Sequence, residues 1–313
     1  MIKRIVVVGS INLDLVAAAD RVPGAGETIS GHTFQTFFGG KGANQAVAVA
    51  RLRFPVSMLG KVGEDAFGPQ LRRALCDAGV DVKAVGTVRG ASGVALIATG
   101  SKGENSIIVV PGANGRLLPR DLDKHKNLLR SAGMLLTQLE TPPETIEYLG
   151  RLARKFGVPL MLDPAPARTL HPDLLKAVSW LTPNETETRM LLGTSQEVDP
   201  GRAADELLSR GAGNVVLKLG EKGAYVATSD GQRAHIPAFS VRAVDTTAAG
   251  DAFNGAFAVA LMRGESVLDS ARYACAVAAI SVTRAGAQPS MPSRAEAERF
   301  LKAQGRGKSA GAE

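Results

Sequence analysis

The sequence predicts an α/β protein in three layers, α/β/α, with a central, mostly parallel sheet and a small separate β-sheet beside it. Short apolar runs rich in β-branched residues, such as 5–9, are typical of buried strands. From residue 133 onward such runs alternate with helical patterns, which indicates parallel strands covered by helices on both faces. Two sets of half-polar, strand-like segments, near 14–38 and 91–110, predict the small second sheet.

Local patterns along the chain predict the individual elements. Gly9 ends the first strand, Phe54-Pro55 ends the first helix, and Gly100-Ser101-Lys102-Gly103 is typical of a hairpin turn. The predicted strands are 5–9, 56–60, 94–99, 105–110, 133–137, 158–162, 179–182 and 214–219, with a further hairpin over 223–236. The predicted helices are 42–53, 67–78, 143–156, 184–192, 201–210, 249–263, 267–284 and 293–303.

The half-polar segments also predict how the chain is organised. We expect them to form a lid that is discontinuous in sequence, made of 11–38 and 91–110. The main α/β domain is expected at 1–10, 39–90 and 111–304. A short basic and small-residue end, 305–313, is expected to be a flexible tail.

Composition and charge limit the classes of partner. The 313 residues, 45% of them hydrophobic, suffice for a sizeable core. The net charge of +7 is scattered and lacks interleaved aromatic residues, so we expect no nucleic-acid partner. The two cysteines, Cys76 and Cys275, form neither a disulfide framework nor a metal-binding spacing. Because no stretch approaches the roughly 18 apolar residues of a membrane span and none resembles a secretion signal, we expect a cytoplasmic protein without a membrane partner.

The clearest candidate for chemistry is Asp245-Thr246-Thr247-Ala248-Ala249-Gly250-Asp251, which leads into the apolar helix predicted at 249–263. A helix N-terminus offers unpaired N–H groups and a positive dipole end, and small residues let an anion approach them. The Asp251 carboxylate would accept a proton from a hydroxyl group while the N–H groups stabilise a phosphoryl group. Taken alone, a Gly-Asp pair at a helix start is more often only a cap.

Two common nucleotide-binding patterns are absent from the sequence. Gly39-Gly40-Lys41-Gly42 has neither the spacing nor the Ser/Thr of a P-loop, and Gly9 does not begin a G-x-G-x-x-G motif. The sequence therefore disfavours a P-loop NTPase and a Rossmann oxidoreductase.

Several segments resemble the ribokinase/PfkB family of carbohydrate kinases. Gly250-Asp251-Ala252-Phe253, preceded by Asp245-Thr246, resembles the second family signature. Phe38-Gly39-Gly40-Lys41-Gly42-Ala43-Asn44-Gln45-Ala46 resembles the first, near the N-terminus. Further segments occur in the family order: Ser10-Ile11-Asn12-Leu13-Asp14, Gln138-Leu139-Glu140, Asp163-Pro164-Ala165-Pro166-Ala167-Arg168, Thr182-Pro183-Asn184-Glu185-Thr186-Glu187 and Gly286-Ala287-Gln288-Pro289-Ser290. The resemblance spans about residues 3–302 and implies a ribokinase-like fold.

The resemblance implies a sugar site rich in carboxylates and amides. Such groups suit the fixed hydroxyls of a pentose, and a site of this kind rejects sugars that leave them unpaired. Its residues would be Asn12, Asp14, Gly40, Lys41, Asn44, Glu140 and Asp251. From the residues alone, the simpler interpretation is that Asn12 and Asp14 are turn residues after the first strand and that the Gly-Gly pair is a turn.

The resemblance also implies a site for ATP with Mg²⁺. The anion hole beside Asp251 would be formed by Ala248, Ala249 and Gly250. The nucleotide would lie against Asn184, Lys218, Gly220, Gly223, Gly250 and Cys275. Asn184 and Glu187 would organise Mg²⁺ through water, although the same pair also fits a helix N-cap. Lys218 would contact a phosphate or point to solvent, and Cys275 would be a small buried residue near the adenine.

A monovalent cation, K⁺, and a second subunit are implied by the same resemblance. Asp245 would supply a carboxylate to K⁺. Backbone carbonyls would come from Thr247, Ser281, Arg284 and Gly286, with Ser290 nearby. Exposed strand edges are usually covered, so the lid is expected to form a homodimer interface.

The implied activity is ATP-dependent phosphorylation of D-ribose at its 5-hydroxyl, with Asp251 as the general base. Alternatives on the same fold are kinases of 2-deoxyribose, fructose, a nucleoside or pseudouridine. A sugar or nucleotide sensor without catalysis is disfavoured because Gly250 and Asp251 are both present. A nucleic-acid-binding role rests only on the net charge.

Overall fold

The structure, a computed structural model, describes residues 3–101 and 104–309 of the chain. Its strands in chain order are β1 Ile5–Val8, β2 Asn12–Ala18, β3 Thr33–Gly39, β4 Val56–Gly63, β5 Asp81–Val88, β6 Gly93–Thr99, β7 Asn105–Val110, β8 Met134–Thr137, β9 Leu160–Leu162, β10 Trp180–Leu181, β11 Asn214–Lys218, β12 Ala224–Thr228 and β13 Arg233–Ile236. Its helices are α1 Lys41–Arg51, α2 Phe67–Asp77, α3 Pro119–Lys124, α4 Lys126–Ser131, α5 Pro143–Phe156, α6 Pro172–Leu175, α7 Glu185–Leu192, α8 Pro200–Ser209, α9 Ala249–Met262, α10 Val267–Ser281 and α11 Arg294–Ser309. Short 3₁₀ turns occupy Gly112–Arg116, Gly220–Lys222 and Gln288–Ser290.

In the described part of the chain, the main sheet has nine strands in the order β13-β12-β11-β10-β9-β8-β1-β4-β5. Every pairing from β11 across to β5 is parallel, while β12 and β13 add to the edge as an antiparallel hairpin. Parallel strands end at one edge of the sheet, so the loops that follow β1, β8, β9 and β11 meet there. This edge carries most of the candidate site residues.

Side chains of the central strand β1 show why the fold has three layers. Successive residues of a strand point to opposite faces, and all four residues of β1 are buried. Ile5 and Val7 pack in a core with residues of α1, α9 and α10, whereas Val6 and Val8 pack in a second core with residues of α5 and α8. A strand that is apolar on both sides needs helices on both faces, so the predicted α/β/α layering is confirmed.

The small sheet is separate from the main one and has the strand order β3-β2-β6-β7. Asn12 at the start of β2 lies opposite Gly39 on one side and Gly93 on the other, so the pairing of β2 with both of its neighbours begins at Asn12. Its pairings are antiparallel except for β2 with β6. The two half-polar sequence segments thus form one sheet, and we call it the lid sheet.

Some elements differ from the predicted ones. The edge strand β5 and the short helices α3 and α4 were not predicted. The hairpin turn predicted at 100–103 includes residues 102 and 103, which lie outside the described residues. The tail predicted at 305–313 overlaps the end of α11 and residues 310–313, which are not described, so it stays a prediction. No described helix is both long and apolar enough to cross a membrane.

Candidate active site

Asp251 lies in the first turn of α9 and is held by two amides from α1. Asp251 is only 5% exposed. Asn44 Nδ2 donates to one carboxylate oxygen at 3.0 Å, and Gln45 Nε2 donates to the other at 3.1 Å. Because both oxygens accept from fixed donors, the carboxylate has a defined orientation. The other atom of the Asn44 amide, Oδ1, is buried without a partner among the described residues.

Burial sets the protonation chemistry of this carboxylate. It raises the pKa of Asp251 from 3.8 to about 6, and the negative charge of Asp163 adds to the rise against the opposing effect of Lys41. Burial would lower the pKa of Lys41, but the carboxylates around its ammonium, Asp251 first, outweigh burial and raise it. Asp251 is therefore poised to take up a proton near neutral pH, beside an ammonium that stays charged.

A second group of carboxylates lies at the N-terminus of α1. Glu140, after β8, accepts hydrogen bonds from the Ser10 hydroxyl and from the backbone N–H of Lys41 at 3.1 Å. Burial, and next the charge of Glu140, raise the pKa of Asp14 to about 6, while Lys41 lowers it. Asp14 and Glu140 thus lie near Lys41 at the base of the lid sheet, and their role toward a sugar stays a prediction.

Gly40 explains how α1 comes so close to the lid sheet. It is the N-cap of α1 with φ at 85°, a conformation that favours glycine. A Cβ there would lie 2.7 Å from the backbone nitrogen of Asn12, so a larger residue would push the two elements apart. Asn12 is itself buried and its Oδ1 accepts a hydrogen bond from Asn114 Nδ2 at 2.6 Å.

A cavity of about 880 Å³ opens on the other side of the α9 N-terminus. Residues predicted to bind a nucleotide line it: Lys218, Gly220, Gly223, Gly250 and Cys275. Its far wall is apolar, with Phe239, Phe253 and Ala279. Burial raises the pKa of the Cys275 thiol to about 12, so this cysteine is a neutral, small wall residue.

The N-terminus of α9 faces this cavity with free amides. Ala248 is the N-cap in the left-handed conformation, with φ at 59°, which is strained for a residue with a Cβ. The N–H groups of Gly250 and Asp251 have no acceptor among the described residues. The N–H of Ala249 already donates to the Thr246 carbonyl at 3.2 Å, so one of the amides predicted to form an anion hole is already paired.

Asn184 and Glu187 form a reciprocal N-cap at the start of α7. Asn184 Oδ1 accepts from the Glu187 N–H at 2.8 Å, and Glu187 accepts from the Asn184 N–H at 2.7 Å. Asn184 also bridges to Lys218, which brings this turn to the cavity. Burial raises the pKa of Glu187, whereas the nearby Lys218 lowers it. The capping interpretation is therefore confirmed, and a role toward Mg²⁺ is not tested by it.

The segments predicted to hold K⁺ meet at Asp245. Its carboxylate accepts from the backbone N–H of Thr247 and of Gly286, both at 2.8 Å. Against the opposing effect of burial, hydrogen bonds from Thr247 and Gly286 lower the pKa of Asp245, which keeps it ionised. Ser281 accepts the N–H of Arg284 through its carbonyl, and the Ser290 hydroxyl donates to Ala287. Asp245 is thus an ionised carboxylate close to the segments predicted to supply carbonyl oxygens, and oxygen donors of these two kinds suit a hard cation.

The sequence analysis missed residues that the fold brings into this site. Gln45 and Asp163 lie in the quoted segments but received no role. Gln45 Nε2 donates at 3.1 Å to Asp163 as well as to Asp251, and its Oε1 accepts from Gln138 at 2.7 Å. A polar Gln45 within a helix of small apolar residues was the only sequence signal for this contact. No cluster of three or more His, Cys, Asp and Glu side chains that could hold a metal ion occurs within 3–101 and 104–309.

The chain is similar to several known proteins over nearly its whole length. The family model described as pfkB family carbohydrate kinase matches residues 2–294. A ribokinase of Haemophilus influenzae is 40% identical over 96% of this chain and 99% of its own length. A deoxyribokinase of Salmonella typhi is 39% identical over 95% of this chain and 98% of its own. A solved structure of Arabidopsis thaliana ribokinase complexed with ribose and ATP superposes with a TM-score of 0.91 at 38% identity, covering 96% of this chain and 99% of that one.

Proposed function

The chain belongs to the pfkB family of carbohydrate kinases, and from that premise we propose that it transfers the terminal phosphoryl group of ATP to the 5-hydroxyl of ribose. Ribokinases from several organisms match it over nearly the whole chain. The family resemblance that the sequence indicated is thereby confirmed. The activity is that of a phosphotransferase with an alcohol group as acceptor.

The observation that carries the proposal is the position of Asp251. This carboxylate is buried at the start of α9, where it accepts hydrogen bonds from Asn44 and Gln45 of α1, and the preceding residue, Gly250, lines the large cavity. A base that accepts the hydroxyl proton must lie between the sugar and the phosphate that the oxygen attacks. The burial of Asp251 at the start of α9 supports that role, and its raised pKa makes it a better proton acceptor than an exposed aspartate.

The sugar is proposed to bind on the α1 side of Asp251. Asn44 donates to Asp251 and keeps a buried, unpartnered Oδ1, which can accept a hydrogen bond from a sugar hydroxyl. Asp14 and Glu140 offer further acceptors, and Lys41 offers a donor. Asn12 and Gly40 complete the predicted set at the base of the lid sheet.

The nucleotide is proposed to bind in the 880 Å³ cavity. Its phosphates would lie against Lys218, Gly220, Gly223 and Gly250, with the adenine toward Cys275. Mg²⁺ would be held through water near Asn184 and Glu187, where it would neutralise phosphate charge.

The proposed step is a direct transfer. Asp251 takes the proton of the ribose 5-hydroxyl, the oxygen forms a bond to the γ-phosphorus, and the bond to the β-phosphate oxygen breaks to release ADP. The N–H groups of Ala248, Gly250 and Asp251 stabilise negative charge on the transferred phosphoryl oxygens, with a smaller contribution from Ala249, whose N–H already donates to Thr246.

K⁺ and a second subunit are part of the proposal. The Asp245 carboxylate and the carbonyls of Thr247, Ser281, Arg284 and Gly286, with Ser290 nearby, would hold K⁺. When bound, the cation would order the loop that leads into α9. A cytoplasmic location fits a protein that uses ATP.

The lid sheet offers the proposed homodimer interface. All residues of its edge strand β7 are exposed, and its apolar residues include Ile107 at 52% and Ile108 at 61% exposure. Edge strands of this kind are usually covered by another chain.

A panel of sugars in a coupled assay for ADP release, with and without K⁺, tests the proposal. Ribose should give the highest kcat/KM, and phosphorus NMR should show a 5-phosphate ester. A kinase of 2-deoxyribose is the second candidate, because a deoxyribokinase is nearly as similar to this chain as the ribokinases. If neither ribose nor 2-deoxyribose stimulated the release of ADP, both candidate functions would be contradicted. Equal rates in K⁺, Na⁺ and choline buffers would remove the K⁺ site.

A further inference from the structure

A buried ion pair between Lys218 and Asp163 lies next to the proposed site of phosphoryl transfer. Lys218 Nζ is 2.8 Å from Asp163 Oδ1, and the two side chains are only 12% and 3% exposed. Lys218 ends β11 and Asp163 follows β9, so the pair lies at the edge of the sheet where these strands end.

The ammonium of Lys218 lies where a helix dipole disfavours a cation. A Cβ on Gly250 would lie 3.3 Å from Lys218 Nζ, which places this nitrogen against the first turn of α9. The N-terminal end of a helix is positive and repels an ammonium. Lys218 also lines the 880 Å³ cavity, together with Gly250, whose N–H has no acceptor among the described residues. An anion in that cavity would contact both positive groups, and a phosphate is the anion that the proposed reaction brings there.

Asp163 is connected to the base Asp251 through one side chain. Gln45 uses the two hydrogens of its single amide nitrogen for these two carboxylates, each at 3.1 Å. Its Oε1 accepts from Gln138 Nε2 at 2.7 Å, so a flipped Gln45 amide would turn an oxygen toward both carboxylates. Gln138 thus fixes the direction of the bridge.

We propose that Asp163 is a positioning residue, which holds the Lys218 ammonium in the proposed phosphate site and which Gln45 ties to Asp251. This inference rests on the proposed kinase function. The arrangement places one carboxylate between the group that holds the phosphate and the group that takes the sugar proton. The contacts from Lys218 through Asp163 and Gln45 to Asp251 thereby hold the phosphate-binding group and the proton acceptor at a fixed separation.

A simpler role for Lys218 is only to neutralise Asp163, because a buried carboxylate without a partner destabilises a protein. The two roles differ in the variant Lys218→Met/Asp163→Asn. This double variant removes both charges, so it leaves no unpaired buried carboxylate. If Lys218 binds phosphate, the double variant still lacks that contact.

The experiment measures KM for ATP and KM for ribose in Lys218→Met, Asp163→Asn and the double variant. It also measures the Kd of ATP and of adenosine by calorimetry. Lys61→Met is the matched control, since Lys61 forms a similarly buried pair with Asp121 at 2.9 Å but is not one of the proposed site residues. We expect Lys218→Met to raise KM and Kd for ATP about 10- to 100-fold, as for loss of a charged hydrogen bond, and to leave the Kd of adenosine unchanged.

Asp163→Asn should raise KM for ATP less, about 2- to 10-fold, and the double variant should match Lys218→Met in KM for ATP, because Asp163 affects ATP binding only through Lys218. A double variant with the KM of the wild type for ATP would overturn the phosphate role. Effects that multiply in the double variant would overturn the positioning role. Gln45→Met should lower kcat without raising KM for ATP, and the opposite pattern would overturn the link to Asp251.

Failure of the proposed function gives a different result. If the wild type phosphorylates no sugar but binds ATP, the calorimetry still tests Lys218. If the wild type binds no ATP, the inference falls with the proposed function.

Discussion

Replacing the proposed base by an amide should make the folded protein more stable at neutral pH. Burial raises the pKa of Asp251 from 3.8 to about 6 in the folded state, so folding favours the protonated form. Above about pH 6 the buried carboxylate is charged and costs up to about 3 kcal/mol, at about 1.4 kcal/mol for each pH unit between the two values. Below about pH 4 the carboxyl is protonated in both states and the cost disappears.

The substitution Asp251→Asn should therefore stabilise the fold by about 1–3 kcal/mol at about pH 7.5, and by about half of that at pH 5. The new amide needs an acceptor where the carboxylate had donors. Asn44 can supply one by rotating its amide, because its Oδ1 is buried without a partner.

Urea unfolding of both proteins at the two pH values measures this difference. The control Asp121→Asn should show the opposite sign, since Asp121 pairs with Lys61 at 2.9 Å and its pKa is lowered despite burial. A variant at Asp251 that is less stable than the wild type at about pH 7.5, or equally more stable at both pH values, would refute the electrostatic reasoning.

Three further properties can be checked. The value of kcat should fall about tenfold for each pH unit below about 6, because Asp251 must be ionised to accept a proton. Asp14→Asn should leave this acidic fall of kcat at the same pH while it raises KM for ribose. A fall of kcat that shifts to another pH in Asp14→Asn would contradict the assignment of the base. Ala248→Gly should add about 1 kcal/mol of stability by relieving a φ of 59°. As a comparison, Gly264→Ala, at φ 81° with no atom within 4 Å of the new Cβ, should remove a similar amount, and urea unfolding measures both. No gain in stability from Ala248→Gly would show that the backbone at residue 248 is not strained. Ile108→Asp, at a side chain in the exposed edge of the lid sheet, should give a monomer in light scattering, and an unchanged dimer would exclude this interface.

Local rules predicted the parts of the fold that depend on nearby residues. The apolar run at β1, the turn residues before α9 and the N-cap of α7 each act within a few positions, and all three are present. The strand β5 was missed because it alternates Asp81, Lys83 and Thr87 with small apolar residues at the edge of the sheet, where few side chains are buried. Helices α3 and α4, with six residues each, are too short to show a helical period.

From the sequence, only those site residues that match family motifs could be predicted. Asp251 and Asn44 were expected near each other because both belong to family signatures, and Asn44 does donate to Asp251. The contact from Gln45 to Asp163 joins residues 118 positions apart, and that from Gln45 to Asp251 joins residues 206 apart. Such contacts depend on which loops meet at the edge of the sheet, and no local pattern encodes them. The strain at Ala248 likewise follows from the path of the chain into α9.

The rate of phosphoryl transfer by Asp251→Asn tests the kinase mechanism most directly. With saturating ribose and ATP, this variant should lose about 10²- to 10⁴-fold in kcat, because no other described carboxylate accepts hydrogen bonds from both α1 amides at the start of α9. Its calorimetric Kd for ribose should stay within about threefold of the wild type, since the proton is accepted only during the reaction. A variant that keeps the turnover of the wild type would show that the hydroxyl proton goes elsewhere.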